Sequence, residues 1–210
     1  MAFFKRKPKP THAAAPAAPA APAAPAVVDA PATSGIAGDY TIDASHTRIG
    51  FVARHAMVTS VQGSFKEFAG TAHLDDADPA ASSVTLTIKT DSVDTGSADR
   101  DGHLTSGDFF DVATFPEITF ASTSVDRSDD EWTVAGDLTI KGVTKPVTIA
   151  FDYLGTALDP FGNVRIGFEG ATTVNRKDWD LTWNAALETG GVLVSEKIKL
   201  QFDISAIKNA

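Results

Sequence analysis

Histidine is the first residue type to weigh for chemistry, because its side chain can move protons or bind a metal ion near neutral pH. The 210-residue chain has five, at His12, His46, His55, His73 and His103. One hypothesis joins His46, His55 and His103 in a metal or acid–base site. No two of the five have the short spacing of a dedicated zinc site. We interpret the three as structural histidines and keep the catalytic site as the alternative.

Other chemical motifs are incomplete. Asp99-x-Asp101-Gly102 resembles the start of a calcium loop, but the later ligands and the closing glutamate are missing. The glycine fingerprints of nucleotide sites and the G-x-S-x-G motif are absent, and the chain has no cysteine. The sequence therefore predicts a protein that is not an enzyme and that has no metal site and no cofactor.

Basic residues are scarce in residues 39–210, and four of the six arginines there are singled out: Arg54, Arg100, Arg165 and Arg176. An arginine at the mouth of a cavity can hold a polar head group through two hydrogen bonds. Arg176 lies in Asn175-Arg176-Lys177-Asp178-Trp179. For this residue an ion pair with Asp178 or Asp180 is our preferred interpretation.

Charge is distributed unevenly along the chain, whose net charge is −9. Four basic residues lie in the first nine positions, whereas residues 39–210 hold 14 basic and 26 acidic residues. So acidic a domain repels phosphate backbones, which argues against nucleic-acid binding and against broad docking on anionic membranes. No stretch approaches the roughly 20 apolar residues of a membrane span. The basic start leads into alanine and proline rather than an apolar signal core, so we predict a cytoplasmic location.

Residues 1–38 differ in composition from the rest. Residues 13–26 read AAAPAAPAAPAAPA, and prolines at this spacing prevent an alanine helix. We predict a disordered basic head and Ala/Pro-rich linker over 1–38, followed by one domain over 39–210. The linker is interpreted as a solubilising spacer. Its Pro-x-x-Pro spacing leaves open a proline-binding partner, which would make the protein an interaction module.

Most of residues 39–210 alternate apolar and polar residues, the pattern of half-buried strands. Many such strands without helices to cover them must form a sandwich or a closed barrel. Turn residues divide the pattern into strands at about 39–43, 47–54, 65–75, 83–94, 115–126, 131–141, 146–157, 163–175 and 193–206. The first two ranges can form one bent strand, which predicts an eight-stranded barrel. Residues 99–112 break the alternation and predict a short helix or loop, with Phe109, Phe110 and Val112 plugging one end.

Large aromatic residues dominate the predicted inward positions. The candidates for a ligand-binding surface are Phe51, Phe65, Phe109, Phe120, Trp132, Phe151, Phe168 and Phe202. His55 has the same parity as Phe51 and is also predicted to point inward. Small residues at inward positions, Ala53, Gly136 and Gly170, should thin the lining. The interior of an eight-stranded barrel is either just filled by side chains or holds one ligand, and the small residues favour a cavity.

Several segments, in order, resemble the YceI-like family of lipocalin-like barrels. They are Asp43-x-x-His46 with Phe51-x-x-Arg54-His55-x-Met57; Gly63-x-Phe65-x-x-Phe68-x-Gly70; Arg100-Asp101-x-His103-Leu104 through Asp108-Phe109-Phe110-Asp111-Val112; Phe115-Pro116-x-Ile118-x-Phe120; Gly136-x-Leu138 through Pro146-Val147; and Asn175-Arg176-x-Asp178-Trp179. The resemblance covers 39–206. Asp180 stands where the family often has glycine.

The resemblance implies an all-β fold, an eight-stranded antiparallel lipocalin-like barrel with a short helical insertion near residues 99–108. It also implies binding, storage or transport of an elongated apolar lipid, such as a polyisoprenoid, an isoprenoid quinone or a fatty amide. Many relatives are periplasmic, which the predicted location contradicts. The residues predicted to contact a lipid head group are Arg54, His55, His103 and Arg176. A histidine-dependent enzyme acting on a lipid or quinone remains the alternative, and a homodimer is left open.

Overall fold

The computed structural model describes residues 35–188 and 190–210. This part of the chain holds eleven strands and one α-helix: β1 (Gly38–Ile42), β2 (Arg48–His55), β3 (Thr59–Phe65), β4 (Phe68–Leu74), β5 (Ser83–Lys89), β6 (Val93–Asp94), α1 (Ala98–Thr105), β7 (Glu117–Ser128), β8 (Glu131–Ile140), β9 (Val143–Leu158), β10 (Val164–Asn175) and β11 (Val194–Lys208). Three 3₁₀ turns lie at Pro79–Ala81, Thr90–Ser92 and Arg176–Trp179. The predicted head and linker lie outside the described residues up to position 34.

The strands form one closed antiparallel sheet. β11 pairs with β10 along one side, and with β2 and then β1 along the other. From β1 the ladder continues through β4, β5, β7, β8 and β9 back to β10. Three positions in the ring are each shared by two consecutive segments: β1 and β2, β4 and β3, and β5 and β6. The ring therefore has eight positions, and the predicted eight-stranded antiparallel barrel with a helical insertion is confirmed.

Alternation along the strands directs the apolar side chains into the barrel. In β8, Trp132, Val134, Leu138 and Ile140 are buried, while Glu131 is exposed. Period-two burial of this kind puts one face of the sheet in the core and the other in water. The core is the interior of the barrel itself.

One strand was not predicted. β3 follows β2 after a tight turn, in which Ala56 and Met57 have φ values of 49° and 61°. This left-handed conformation is unusual for residues other than glycine. The turn contains neither glycine nor proline, so the sequence showed no turn residues at this position. The predicted strand over 83–94 is also interrupted, because the 3₁₀ turn at Thr90–Ser92 separates β5 from β6.

The helical insertion caps one end of the barrel. Its helix, α1, is followed by Phe109, which is buried at 7% exposure. The Asp101 carboxylate accepts hydrogen bonds from the backbone N–H of Thr95, at 2.9 Å, and from its hydroxyl. Lys141 Nζ donates to the Gly107 carbonyl at 2.9 Å. Asp101 therefore holds the insertion in place, which accounts for the calcium-like fragment structurally.

The opposite end is closed by the chain entering β1. Ile36 is buried at 3% exposure, and the Tyr40 hydroxyl donates to its carbonyl at 2.7 Å. Tyr40 itself is 1% exposed. The packed core thus includes a residue that precedes the predicted domain start at 39.

Candidate functional site

The barrel interior encloses a cavity of about 240 Å³. Seven of the predicted aromatic residues on strands contribute to its wall, together with Phe109 from the insertion: Phe51, Phe65, Phe109, Phe120, Trp132, Phe151, Phe168 and Phe202. Their rings lie against one another, as in Phe51 and Phe65 with centroids 5.9 Å apart, and Phe151 and Phe202 at 5.7 Å. The fold therefore brings the eight aromatic side chains selected from the sequence together around one cavity. Their role in binding a ligand stays a prediction.

Further lining residues come from the capping segments. Leu104, in α1, and Phe110, just after it, reach the cavity, and Trp179 and Leu181 reach it from the 3₁₀ turn after β10 and from the residues beyond it. Phe110 was predicted as part of a plug, but the other three were not selected. They lie where alternation ends, so parity could not indicate their direction. The Asn175–Trp179 motif was the one available signal for Trp179.

The glycines at inward positions do not thin the lining. A Cβ on Gly136 would lie 2.4 Å from Cζ of Phe120 and 2.5 Å from the Ala121 carbonyl oxygen. A Cβ on Gly170 would lie 2.4 Å from Cδ1 of Phe151. Each glycine lets an aromatic ring of the neighbouring strand lie flat on the backbone. The prediction for these two residues is wrong because the rings occupy the space, whereas Ala53 does line the cavity.

Arg176 is the only charged side chain among the described residues that line the cavity. It is buried at 4% exposure, although the sequence placed it at a rim. Its Nε donates to the Ser195 carbonyl at 3.0 Å and its Nη1 to the Leu181 carbonyl. Its Nη2 has no hydrogen-bond partner among the described residues.

The predicted ion pair of Arg176 with Asp178 or Asp180 is wrong. Both aspartates are exposed. The chain turns back at Asp180, whose φ of 57° is left-handed, and this turn brings the Leu181 carbonyl to the guanidinium instead. The left-handed backbone also explains why a family would favour glycine at this position.

His103 packs on the outside of the cavity wall. Its ring lies edge-on to Phe109 at 5.1 Å and to Trp183 at 4.5 Å, and its Nε2 is 2.9 Å from the Asp108 carboxylate. His103 does not line the cavity. The structure thus places it as a packing and hydrogen-bonding residue of the insertion.

Arg54 and His55 are exposed at the end of β2 and do not line the cavity. The predicted inward direction of His55 is wrong. β2 ends at His55, and the left-handed turn at Ala56 and Met57 begins directly after it. The alternation of a strand does not predict the direction of a side chain where the strand ends in such a turn.

Outside the cavity, the described histidines His46 and His73 each pair with one carboxylate. Within residues 35–188 and 190–210, no group of three His, Asp or Glu side chains could hold a metal ion. His46 pairs with Asp43 at 2.7 Å, and His73 with Asp39 at 2.8 Å, and both imidazole rings are exposed. No helix in the same ranges is long and apolar enough to cross a membrane.

A second unpartnered donor lies at the far end of the cavity. Trp132 is 2% exposed, and its Nε1 has no hydrogen-bond partner among the described residues. Its ring contacts Phe168, with centroids 6.0 Å apart, and the Arg127 guanidinium lies 5.3 Å from its centroid. Chemically, the site is an apolar space in which Arg176 and Trp132 have unpartnered donors, and the described residues of its wall include no acceptor side chain.

Comparison with known proteins places this barrel among named relatives. The YceI protein of Escherichia coli O157:H7 is 44% identical over 152 residues, covering 71% of this chain and 80% of the relative. The YceI protein of Salmonella newport strain SL254 is 43% identical over 151 residues, with 71% and 79% coverage.

Solved structures share the fold. A Campylobacter jejuni YceI protein superimposes with a TM-score of 0.65 at 28% identity, covering 75% of this chain and 90% of that one. Burkholderia cenocepacia BcnA gives 0.69 at 24% identity, with 78% and 98% coverage. A polyisoprenoid binding domain from Saccharophagus degradans gives 0.61 at 18% identity, with 81% and 98% coverage. The last two, at such low identity, support the fold alone.

The sequence profile of the YceI-like domain matches residues 40–206. That range begins in β1 and ends in β11, so it includes the whole ring of strands, the helical insertion and the cavity between them. The chain belongs to the YceI-like family.

Proposed function

We propose that the protein binds an elongated apolar lipid inside its barrel. The observation that carries this proposal is a cavity of about 240 Å³ whose lining side chains are apolar except for Arg176. An apolar cavity of about 150 Å³ already suffices to bind benzene. Each methylene group buried there contributes about 0.8 kcal/mol of favourable transfer free energy. A flexible hydrocarbon chain therefore gains ample binding energy.

The family supports the same class of ligand. A structural neighbour is named a polyisoprenoid binding domain, and a polyisoprenoid is one such ligand for this chain. An isoprenoid quinone and a fatty amide meet the same apolar requirement. The cavity is slightly below the roughly 300 Å³ at which pockets for drug-sized ligands begin. Longer chains therefore require lining side chains to change rotamer on binding.

Solvent extraction and mass spectrometry of the purified protein test the proposal directly. We expect the extract to contain a long apolar molecule in near-stoichiometric amount. After removal of this molecule, the protein should take up added lipid and its melting temperature should rise, because a ligand that binds only the folded state stabilises it. An empty extract together with no uptake of any added lipid would contradict the proposal.

Filling the cavity gives a matched test. Ala53 lines the cavity, whereas Val52, next to it on β2, lies on the other face. We expect Ala53→Trp to abolish uptake and Val52→Trp to leave it unchanged. Circular dichroism must show that Ala53→Trp still folds, since overpacking can cost about 1–3 kcal/mol. Undiminished uptake by folded Ala53→Trp would count against binding in the lumen.

Carriage, storage and a cytoplasmic location stay predictions, as do a homodimer and a partner for the Pro-rich linker. The enzymatic alternative has a separate readout, namely turnover of a lipid or quinone that is lost in His103→Ala.

A further inference from the structure

Arg176 is the one residue of the cavity wall whose chemistry the apolar ligand class leaves unexplained. It follows Val174 in the inward parity of β10, so its side chain continues the lining at the end capped by α1. Two backbone carbonyls, those of Ser195 and Leu181, hold its Nε and Nη1. The guanidinium is thereby fixed in orientation, and its Nη2 is left without a partner in the described chain.

The positive charge of Arg176 has no ion-pair partner among the described residues. No ion pair among them includes it, and Glu196, whose charge reaches it, is bound to Lys177 on the surface. Burial lowers the pKa of Arg176, but an arginine stays protonated in proteins. A buried charge without a counter-charge is costly. An anion at Nη2 would remove both the unmet hydrogen bond and the unpaired charge.

The other residues that line the cavity indicate the chemistry of the rest of the ligand. Trp179 Nε1 donates to the Leu138 carbonyl at 3.0 Å, which places the Arg176 end beside that part of β8. Trp132 lies six residues earlier on β8, roughly 20 Å along the strand. The wall between them is apolar. An occupant therefore has one anionic end and one long hydrocarbon end.

We propose that Arg176 binds the head group of an acidic lipid, a carboxylate or a phosphate monoester, whose tail extends through the cavity toward Trp132. This inference rests on the proposed lipid binding. A quinone or amide carbonyl can accept the Nη2 hydrogen bond but leaves the guanidinium charge unpaired. A carboxylate or phosphate accepts the hydrogen bond and pairs the charge, and charge-assisted bonds are roughly twice as strong as neutral ones.

Four ligands with one tail and different head groups test the proposal on the full, delipidated wild-type chain. They are oleic acid, oleyl phosphate, oleamide and oleyl alcohol, each titrated at neutral pH with intrinsic tryptophan fluorescence as the readout. We expect an anionic ligand to bind about tenfold or more tighter than the amide and the alcohol. Tighter binding of oleic acid than of oleyl phosphate, or the reverse, shows whether the preferred head group is a carboxylate or a phosphate. The preference should persist at high salt, because a buried pair is little screened.

Two variants separate Arg176 from nearby charge. Arg176→Gln removes the cation but keeps N–H donors, and it should bring the acid and the alcohol to the same affinity while alcohol binding is retained. Lys177→Gln removes the neighbouring, exposed cation and should leave the preference unchanged. A preference that survives in folded Arg176→Gln would overturn the assignment.

The wild-type series is decisive even if Arg176→Gln fails to fold. Equal affinities for all four ligands would overturn the head-group inference and leave lipid binding standing. Failure of all four to bind, the alcohol included, would instead overturn the proposed function itself.

Discussion

Arg165 joins three separate parts of the chain on the outside of the barrel. Its Nε donates to Asp159 in the β9–β10 hairpin at 2.8 Å, and its Nη1 donates to Asp43 after β1. Both carboxylates are about nine-tenths buried. Hydrogen bonds from Ser45 and then Arg165 hold the pKa of Asp43 well below its usual value. Hydrogen bonds from Asn163 and from Arg165 do the same for the pKa of Asp159.

The lowered pKa values predict how stability depends on pH. Because an unfolded aspartate titrates near about 3.9, these carboxylates stabilise the fold above that pH. Their contribution is lost as the pH falls from there toward the folded values. We expect Arg165→Met to lower the melting temperature by several degrees at pH 7, with the difference from wild type shrinking on acidification to pH 3.

An exposed ion pair provides the control for that experiment. Lys89 and Glu117 pair on the surface at 2.6 Å, and such pairs contribute little. Lys89→Met should therefore change the melting temperature only slightly at either pH. A difference between Arg165→Met and wild type that stays constant with pH would contradict the assigned role of the carboxylates.

Gly136 provides a second prediction at the residue scale. Gly136→Ala places a methyl group 2.5 Å from the Ala121 carbonyl oxygen, which cannot move aside as a side chain can. We expect a loss of about 1–3 kcal/mol in the free energy of unfolding. Gly102→Ala is the matched control, because Gly102 lies inside α1 with no atom near its added Cβ. It should gain about 0.5–1 kcal/mol in urea unfolding.

Side-chain direction could be predicted within strands and not at their ends. Trp132 and Phe202 lie in long regular strands, and their parity gave their direction correctly. His55 and Arg176 lie where β2 and β10 give way to turns. Parity predicted an inward direction for His55, which is exposed, and nearby acids suggested the wrong partners for Arg176. The partners of Arg176 are backbone carbonyls, which any residue supplies. A sequence therefore carries no signal for them.

At the scale of elements, α1 and the residues after it form the cap that separates the Arg176 end of the cavity from solvent. Phe109 is the central contact, since its ring lies 6.0 Å from the Arg176 guanidinium and packs against Trp183 at 5.4 Å. The helix itself has no buried residue. The cap is therefore held by the segment after the helix more than by the helix.

Phe109→Ala should weaken this cap. We expect the free energy of unfolding to fall by about 3–5 kcal/mol, because a buried aromatic is replaced by a cavity. The same substitution at Phe161, which is 88% exposed in the β9–β10 hairpin, should leave stability nearly unchanged. Equal unfolding midpoints in urea for the two variants would contradict the role of Phe109.

The long strands were predictable because their alternation persists over many residues. β8, β9 and β10 fell close to their predicted positions, and the break in alternation over 99–112 marked the helical insertion. β3 was missed because it has few large apolar residues, with Gly63 at an inward position where the Phe51 ring lies over its backbone. β3 forms because it pairs with β2, and the turn between the two strands lacks the usual turn residues.

At the scale of the whole molecule, α1 and its loop lie at one end of the barrel and Ile36 packs at the other. The family pattern and the alternation together predicted the ring of eight positions. The packed start of the domain was less predictable, because residues 35–37 precede the first strand and have no periodicity. Ile36 is hydrogen-bonded to Tyr40 of β1, and β1 in turn pairs with β4 and β11. These strands come together only when the ring closes.

Two truncations test where the folded unit starts. Removal of residues 1–34 should leave the melting temperature of the full chain unchanged. Removal of 1–38 should lower it, since burying one isoleucine side chain contributes about 1.5–3 kcal/mol. Differential scanning calorimetry of the three chains decides the matter, and equal melting temperatures for the two truncated chains would show that Ile36 does not belong to the core.

The pairing of β11 with β10, β2 and β1 has a consequence for biosynthesis. Within the described residues, β11 is the segment that joins β1 and β2 to β10, so a nascent chain cannot complete its ring until β11 has left the ribosome. β1 ends at Ile42 and β11 ends at Lys208, 166 residues later. At about 5–20 residues per second, synthesis of that stretch takes roughly 8 to 30 seconds. Throughout that interval the earlier strands present unpaired edges, the surfaces through which chains aggregate. The order of the strands thus leaves these edges unpaired until the last strand has been made.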